Sequence, residues 1–298
     1  MLGGRRRLSR GDRVFDTVNT LILALCVLIV VYPLIYIVSA SFSHHRAVVS
    51  GKIWLLPVDL DLTAYKSVFS YGLILSGYAN SLFYMCVGTI LSVSLTLLAA
   101  YPLSRKEFRA RNMFMGLFLF TMLFSGGLIP TYMVVKSLGM VDTRWAMLLP
   151  NAVGVWNVIV TRTYLKATIT DELYEAATME GCGDVRFLTS FVIPLSGSII
   201  AVMSLYYAVW IWNSYFDALV YLRSRELYPL QIVLRNILIL NTTDGGMVSD
   251  ISVLARKQGL ADVMKYALIV VSSAPLLVIY PFVQKHFVKG VMIGSLKG

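Results

Sequence analysis

Six stretches of the chain contain no aspartate, glutamate, lysine or arginine and are predominantly apolar. They are residues 17–43, 67–104, 112–135, 145–161, 187–216 and 266–284. A helix that crosses the hydrocarbon core of a bilayer needs about 20 predominantly apolar residues. The composition agrees, because 57% of the 298 residues are hydrophobic and 14% are charged, whereas a soluble domain has about 25% charged residues. The sequence therefore predicts an all-α integral membrane protein with six transmembrane helices.

The positions of the arginines predict which side of the membrane the chain termini face. Five arginines precede the first apolar stretch: Arg5, Arg6, Arg7, Arg10 and Arg13. Because Lys and Arg concentrate in cytoplasmic segments and the first helix usually sets the orientation, the N-terminus is predicted to be cytoplasmic. Six spans then place the C-terminus and the loop 166–194 on the same side, and the loop 217–265 outside. We expect a cytoplasmic segment at 1–16, a six-span domain at 17–287 and a cytoplasmic tail at 288–298.

The net charge of +10 does not indicate a nucleic-acid-binding protein. The basic residues are spread over loops that flank the apolar stretches rather than clustered on one patch, as expected for residues that set topology and contact membrane lipid. The three cysteines, Cys26, Cys86 and Cys182, have no metal-ligand spacing. His44 and His45 lack a third ligand nearby. We therefore expect no metal ion, no nucleic-acid partner and no catalytic residue in this chain.

The polar stretch 170–194 predicts two short helices joined by a hinge. Thr170 can cap the first helix, because its hydroxyl can accept a bond from a free backbone N–H of the first turn. Gly181 and Gly183 suit the turn at the end of that helix, which favours a left-handed residue. We call residues 170–194 the hinge segment.

The second short helix of the hinge segment leads into the fifth apolar stretch. Asp184 can cap this helix, and Pro194 falls in the first turn of the apolar run, where its missing N–H costs little. A helix that lies on lipid needs basic residues on its polar face, but residues 171–180 contain four acidic residues and no basic one. The hinge segment is therefore predicted to dock on another protein.

The sequence contains no energy-coupling device of its own. An ion-coupled carrier usually needs ionisable groups within its spans, and the six stretches contain no acidic residue, lysine or arginine. No Gly-x4-Gly-Lys-Ser/Thr phosphate loop occurs either. A transporter with these properties must take its driving force from a partner subunit.

The hinge segment resembles the signature of the membrane subunits of ATP-binding-cassette importers. That signature is Glu-Ala-Ala, three residues, Gly, nine residues and Ile-x-Leu-Pro. The matching residues are Glu175-Ala176-Ala177, Gly181 and Phe191-Val192-Ile193-Pro194. Phe and Ile replace the usual Ile and Leu, and Ser198 stands where a second Pro is common. The similarity continues to the tail 288–298, and the segment 212–219 resembles Trp-Asn-x-Phe-x-x-Ala-Leu with one extra residue.

The resemblance implies a type I importer permease fold in the cytoplasmic (inner) membrane of a bacterium. It also implies a heteromeric complex with a second permease, two ATP-binding subunits that hold ATP and magnesium, and an external solute-binding protein. No cofactor is then expected in this chain. The sequence is similar to subunits that take up oligosaccharides, including uronic-acid-containing ones such as alginate or pectin fragments. A permease for a polyol or glycerol phosphate, and an ion-coupled carrier acting alone, are the alternatives.

The resemblance places the ATPase contact on the hinge segment. The residues expected to couple to the ATPase are Leu173, Tyr174, Glu175, Ala176, Ala177, Met179 and Gly181. Alanines are small helix formers that allow close approach, and a glutamate can form paired hydrogen bonds with an arginine of the partner. The loop tip expected to contact the binding protein contains Asn241, Thr242, Asp244, Gly245 and Gly246.

Aromatic residues near the end of the fifth stretch are candidates for a solute pathway, because sugars stack on aromatic rings. The candidates are Tyr206, Trp210, Trp212, Asn213 and Tyr215. Tyrosine and tryptophan are also enriched at membrane interfaces, so packing is the favoured alternative for most of them. Basic residues of the loop 217–265 are compatible with an anionic sugar or with lipid headgroups. They are Arg223, Arg225, Arg235, Arg256 and Lys257.

Overall fold

The computed structural model describes residues 10–70, 72–243, 262–278 and 280–281. Within these ranges the chain forms helices and connecting segments, and its only β-type pairing is a single bridge between Ser43 and Leu60. The predicted all-α class is therefore confirmed. The described residues fall into two compact units, one from residues 10–70, 238–243 and 262–272, the other from residues 72–237, 273–278 and 280–281.

The first unit is dominated by one long helix. Its helices are α1 (Arg10–Ser41), α2 (His45–Val49), α3 (Thr63–Ser70) and the start of a helix at residues 262–278. The apolar part of α1 is exposed along most of its length, as expected for a helix surrounded by lipid. Only its C-terminal end is covered, where Ala40 packs with Ala47 and Ile53. Tyr36 also meets Tyr266 edge-on, with ring centroids 5.9 Å apart.

The second unit is built around α4, which packs against α8 and α12. Its elements are α4 (Gly72–Ser104), α5 (Arg111–Leu123), α6 (Leu128–Ser137), α7 (Trp145–Leu148), α8 (Val155–Thr168), α9 (Asp171–Met179), α10 (Asp184–Phe187), a π-helical turn (Leu188–Val192), α11 (Ile193–Leu195), α12 (Gly197–Trp212), α13 (Phe216–Tyr221), a 3-10 turn (Arg225–Leu227) and α14 (Leu230–Thr243). Gly88 lets α4 approach α12 closely, because a Cβ there would lie 2.8 Å from Cδ1 of Ile211. Small residues at such contacts are typical of membrane helix pairs.

The apolar stretches do not all form straight helices. In the described residues, α1 and α4 are each long and apolar enough to cross a membrane. The stretch 112–135 is instead divided into α5 and α6, which meet at 115°, and Gly127 adopts φ +83° between them. The stretch 145–161 is divided into α7 and α8 around Pro150, which has no N–H for a helical hydrogen bond. The number of six spans thus stays a prediction.

Two apolar clusters position the functional residues. One lies between α4 and α12 and includes Tyr84, Met203 and Tyr207. The other joins the C-terminal end of α4 to α8 and the hinge segment, and includes Leu165 and Phe187. The hinge segment therefore packs directly against α4 and α8 of the second unit.

Candidate functional site

The hinge segment begins at the boundary that the sequence predicts. Thr170 has an extended backbone (φ −72°, ψ 156°) and immediately precedes α9, but its side chain makes no capping bond to the backbone. Its hydroxyl bonds to the carboxylate of Glu172 instead. The pKa of Glu172 is lowered first by the bond from its own backbone N–H and then by the bond from Thr170. The first turn of α9 therefore holds negative charge at the positive end of the helix dipole.

Gly181 reverses the chain at the end of α9. It adopts φ +78°, its N–H donates to the Thr178 carbonyl over 2.9 Å, and the Cys182 N–H donates to the Ala177 carbonyl over 3.0 Å. These two bonds form a Schellman motif, which requires a left-handed residue at this position. The predicted role of Gly181 is confirmed. That of Gly183 is wrong, because Gly183 has φ −77° and precedes α10 as its cap residue.

The side chain of Asp184 joins the two short helices rather than capping one. The prediction that it caps the second helix is wrong, because Asp184 is the first residue of α10 and forms no side-chain cap. It accepts a 2.9 Å hydrogen bond from the hydroxyl of Tyr174. This bond is the main reason why the pKa of Tyr174 is raised, and burial is the second. The Tyr174 ring also meets Phe187 edge-on, with centroids 5.2 Å apart.

Helix α9 has one buried face and one exposed face. Three of the predicted coupling residues pack into the cluster around Phe187: Leu173, Tyr174 and Ala177. The other four are exposed: Glu175, Ala176, Met179 and Gly181. The apolar side chain of Met179 is 89% exposed, whereas Ala177 is 6% exposed. Only the exposed group can contact another molecule while α9 keeps its packing.

The path from α10 to α12 contains a break that the sequence does not predict. A π-helical turn, Leu188–Val192, leads into the short helix α11, and α12 begins only at Gly197. Pro194 lies in α11, so the expectation that it occupies the first turn of the long helix is wrong. The break is at Ser196, whose backbone (φ −95°, ψ 15°) leaves the helical path. The segments before and after this residue meet at 81°.

Most of the predicted pathway residues line a cavity at the C-terminal end of α12. This cavity, which we call the α12 cavity, has a volume of about 760 Å³ and is lined by Tyr206, Trp210, Asn213 and Tyr215. A second cavity of about 490 Å³ shares Tyr206 and Trp210 and adds the amides of Asn151 and Asn157. The two shared aromatic side chains are 55% and 46% exposed. Aromatic faces beside amide groups offer the stacking and hydrogen-bonding surfaces that a polar ring compound needs.

Trp212, the fifth predicted pathway residue, does not line either cavity. It is 1% exposed and meets Tyr78 of α4 edge-on at 5.6 Å. Tyr207, which is not among the predicted pathway residues, has a buried hydroxyl that accepts a 3.1 Å bond from the Gly154 N–H. The same hydroxyl shares a 2.6 Å hydrogen bond with the Thr96 hydroxyl. Trp212 and Tyr207 therefore hold α12 against α4 and the start of α8.

Known proteins with this sequence pattern are membrane subunits of transporters. No protein-family model matches the chain. It is 41% identical over 288 residues to the polygalacturonan/rhamnogalacturonan transport system permease protein YtcP of Bacillus subtilis strain 168, covering 96% of this chain and 99% of that one. It is 39% identical over 293 residues to protein LplC of the same organism, covering 97% of each chain. The chain belongs to the family of ATP-binding-cassette sugar permeases.

The fold of the permease agrees with this membership. A chain in the crystal structure of a bacterial ABC transporter involved in the import of the acidic polysaccharide alginate matches with a TM-score of 0.85 and 36% identity. The match covers 95% of this permease and 99% of that chain. The predicted resemblance to importer membrane subunits is therefore confirmed, and the protein is a membrane protein that works with other subunits.

The loop tip of the permease that is predicted to contact a binding protein lies mostly outside the described residues. Asn241 and Thr242 fall in the last turn of α14. Asp244, Gly245 and Gly246 lie outside the described residues, as does the predicted cytoplasmic tail at 288–298.

Two of the basic residues predicted for the loop 217–265 lie in a well-bonded connection of the permease. Arg223 and Arg225 are exposed, and Arg235 is half-buried in α14. Arg256 and Lys257 lie outside the described residues. The carboxylate of Asp142 accepts bonds of 2.8 Å from the backbone N–H groups of Arg223 and Ser224, and one of 2.6 Å from the Ser224 hydroxyl.

The paired histidines of the permease serve a local structural role. Nδ1 of His44 accepts a 3.3 Å bond from the Arg46 N–H and so caps α2. The rings of His44 and His45 lie 4.2 Å apart. Among the described residues, no group of three or more His, Cys, Asp or Glu side chains is arranged to hold a metal ion.

Proposed function

We propose that this permease imports oligosaccharides that contain uronic acids. The observation that carries the proposal is its 41% identity to a permease named for polygalacturonan and rhamnogalacturonan transport. The structural match to an importer of an acidic polysaccharide supports it. The exposed Arg223 and Arg225 supply positive charge that suits an anionic solute near the entrance.

The proposed topology has six spans, with both termini in the cytoplasm of a bacterium and the permease in its inner membrane. The domain boundaries are those predicted from the sequence: 1–16, 17–287 and 288–298. The arginines before the first stretch support the orientation. The continuous helices α1 and α4 and the two bent pairs, α5 with α6 and α10–α11 with α12, supply four of the spans. The remaining two are the stretches 145–161 and 266–284.

The proposed partners are a second permease, two ATPase subunits and an external solute-binding protein. ATP and magnesium are bound by the ATPase subunits, because this chain has no phosphate loop. The exposed face of α9, formed by Glu175, Ala176 and Met179, docks on an ATPase subunit. Its alanine allows close approach, its methionine adapts to an apolar groove, and its carboxylate binds an arginine.

Charge reversal at Glu175 tests the coupling role of the hinge segment. Glu175→Lys in the assembled transporter is expected to lower sugar-stimulated ATP hydrolysis at least tenfold, because a buried interface charge loses its partner and meets a like charge. The matched control is Asp16→Lys, which makes the same type of change on an exposed residue of α1. Unchanged stimulated hydrolysis in the Glu175→Lys complex would overturn the coupling assignment.

The choice of solute is tested with sugars of equal length. We expect oligogalacturonates to stimulate ATP hydrolysis by the complete complex, and neutral oligosaccharides of the same length to have little effect. Equal stimulation by neutral sugars, polyols or glycerol phosphate contradicts the uronic-acid assignment. Transport by the purified chain alone, without an ATPase subunit, contradicts the dependence on ATP.

A further inference from the structure

Arg105, the residue that follows α4, is buried beneath the hinge segment. Its side chain is only 6% exposed. Its guanidinium carbon lies 4.6 Å from the centroid of the Tyr174 ring and 5.6 Å from that of Phe187. Two of its nitrogens, Nε and Nη2, are buried and have no hydrogen-bond partner in the described part of the chain.

A buried guanidinium without a hydrogen-bonded anion is costly, so its remaining contacts matter more than those of an exposed arginine. Here the two aromatic faces provide the stabilising contact, and cation–π attraction is strongest where the cation is desolvated. Tyr174 belongs to α9 and Phe187 to α10. One cation therefore contacts both sides of the hinge at once.

Neighbouring side chains fix the backbone on both sides of this cation. The Arg111 Nη1 donates a 3.1 Å bond to the Arg105 carbonyl. Nε of Arg162 in α8 donates a 2.8 Å bond to the Leu103 carbonyl. Lys106 forms an ion pair with Asp171 at the start of α9. The connection between α4 and α5 thus touches the hinge segment at its first turn and at both of its short helices.

The end of α4 in turn connects with the cavities through buried contacts. Thr96 of α4 bonds to Tyr207, which also receives the bond from Gly154. Both Gly154 and Tyr207 line the cavity of about 490 Å³. A displacement of α4 at its C-terminal end therefore reaches the cavity walls without passing through the bent connection at Ser196.

We propose that Arg105 is a positioning residue that transmits movement of the hinge segment directly to α4. Coupling then follows two routes, one through α10 and α11 into α12, and one through the guanidinium into α4. This inference rests on the proposed function, because it takes α9 as the surface that an ATPase moves.

The test uses the complete transporter in proteoliposomes with its binding protein and oligogalacturonate as the solute. Arg105→Gln keeps a polar, shorter side chain and removes the charge. We expect the complex to assemble with normal ATP hydrolysis in the absence of sugar, and sugar transport per ATP hydrolysed to fall by up to about 30-fold, which corresponds to the roughly 2 kcal/mol of a desolvated cation–π contact. Arg105→Lys restores part of the loss, because it returns the charge.

Substitutions at Tyr174 separate the ring from the hydroxyl. Tyr174→Leu removes the aromatic face and is expected to reduce transport per ATP about as much as Arg105→Gln, with no further loss in the double variant. Tyr174→Phe keeps the ring, loses the bond to Asp184, and is expected to lose clearly less. Equal losses for Phe and Leu, or full additivity in the double variant, would overturn the cation–π route.

The outcomes distinguish this inference from the proposed function. If Glu175→Lys uncouples the transporter while Arg105→Gln transports normally, α9 is the coupling surface and the route through Arg105 is wrong. If both variants behave as the native protein, the assignment of α9 itself is wrong. If Arg105→Gln prevents assembly, the remaining variants test the route. Partial transport by Arg105→Lys with a larger loss for Tyr174→Leu than for Tyr174→Phe supports it, and equal losses for the two Tyr174 variants overturn it.

Discussion

The hinge segment and the C-terminal end of α12 each have one buried face and one exposed face, but they are held in different ways. In the hinge segment the buried face is fixed by a cation, a tyrosine–aspartate bond and a left-handed glycine. In α12 it is fixed by packing of Trp212 and by the neutral hydrogen bonds of Tyr207. Directional contacts set the angle of a short segment, whereas packing fixes the position of a long helix.

The exposed faces differ as much as the buried ones. On α9 the exposed side chains include a small one, acidic ones and the flexible Met179, which suits close docking of another protein. On α12 they are aromatic and border an open cavity, which suits a solute that must enter and leave. The difference predicts that substitutions will separate into effects on stability, on coupling and on solute passage.

The largest expected difference is between the two tryptophans of α12. Trp212→Ala is expected to destabilise the permease by about 3–5 kcal/mol, because it empties a fully buried site. Trp210→Ala removes a half-exposed ring and is expected to leave the unfolding temperature nearly unchanged while it reduces sugar transport. Thermal unfolding of the purified complex, together with transport assays, measures both effects. Equal destabilisation by the two variants would show that the faces of α12 are assigned incorrectly.

A backbone substitution in the hinge segment should have an intermediate effect. Gly181→Val places a β-branched residue at φ +78°, where an L-residue costs about 1–2 kcal/mol. A Cβ at this position meets no atom within 4 Å, so the effect arises from the backbone and not from a clash. Gly181→Asn is the matched control, because asparagine adopts this conformation more readily. Sugar-stimulated ATP hydrolysis should fall in the valine variant and be largely kept in the asparagine variant. Similar losses in both would point to a direct contact at Gly181.

The smallest effect is expected for the exposed ion pair of the hinge segment. The bond from Lys106 is the main cause of the lowered pKa of Asp171, and the same bond raises the pKa of Lys106. The contribution of Asp171 is present above its ordinary pKa of 3.8 and is lost as the pH falls through its lower folded value. That of Lys106 is present below 10.5 and is lost as the pH rises through its higher folded value.

The ion pair should therefore stay intact between about pH 5 and pH 9, so that it adds no pH dependence to coupling in this range. Because Lys106 is exposed and Asp171 is partly exposed, Lys106→Ala is expected to change coupling slightly at low salt and not at high salt. ATP hydrolysis assays over a range of salt concentrations test this. A loss as large as that of Arg105→Gln would mean that the ion pair, rather than the buried cation, connects the hinge segment to α4.

The sequence predicts the parts of these regions that depend on local chemistry. The boundary of α9 after Thr170 and the left-handed turn at Gly181 follow from local preferences, and the structure contains both, although Thr170 does not form the predicted capping bond. The bond between Tyr174 and Asp184 joins two helices, so no local pattern indicates it. The faces of α12 could not be predicted either, because this helix is apolar on all sides and periodicity does not distinguish Trp212 from Trp210.

The sequence does not indicate the role of Arg105 for a similar reason. It is the first charged residue after a long uncharged stretch, and such a position is typical of a residue that sets orientation. Only the fold shows that two aromatic rings, which come more than 60 residues later in the sequence, cover its guanidinium. The break at Ser196 is likewise invisible in a continuous apolar stretch.

The length of α4 has a mechanical consequence. Its 33 residues rise 1.5 Å each and make a rod about 50 Å long. The hydrocarbon core of a bilayer is about 30 Å thick, so an upright α4 has roughly 20 Å of length to spare. An upright α4 of this length therefore extends beyond the hydrocarbon core. A displacement imposed at the Arg105 end of α4 would therefore be carried along one continuous helix to the other side of the bilayer.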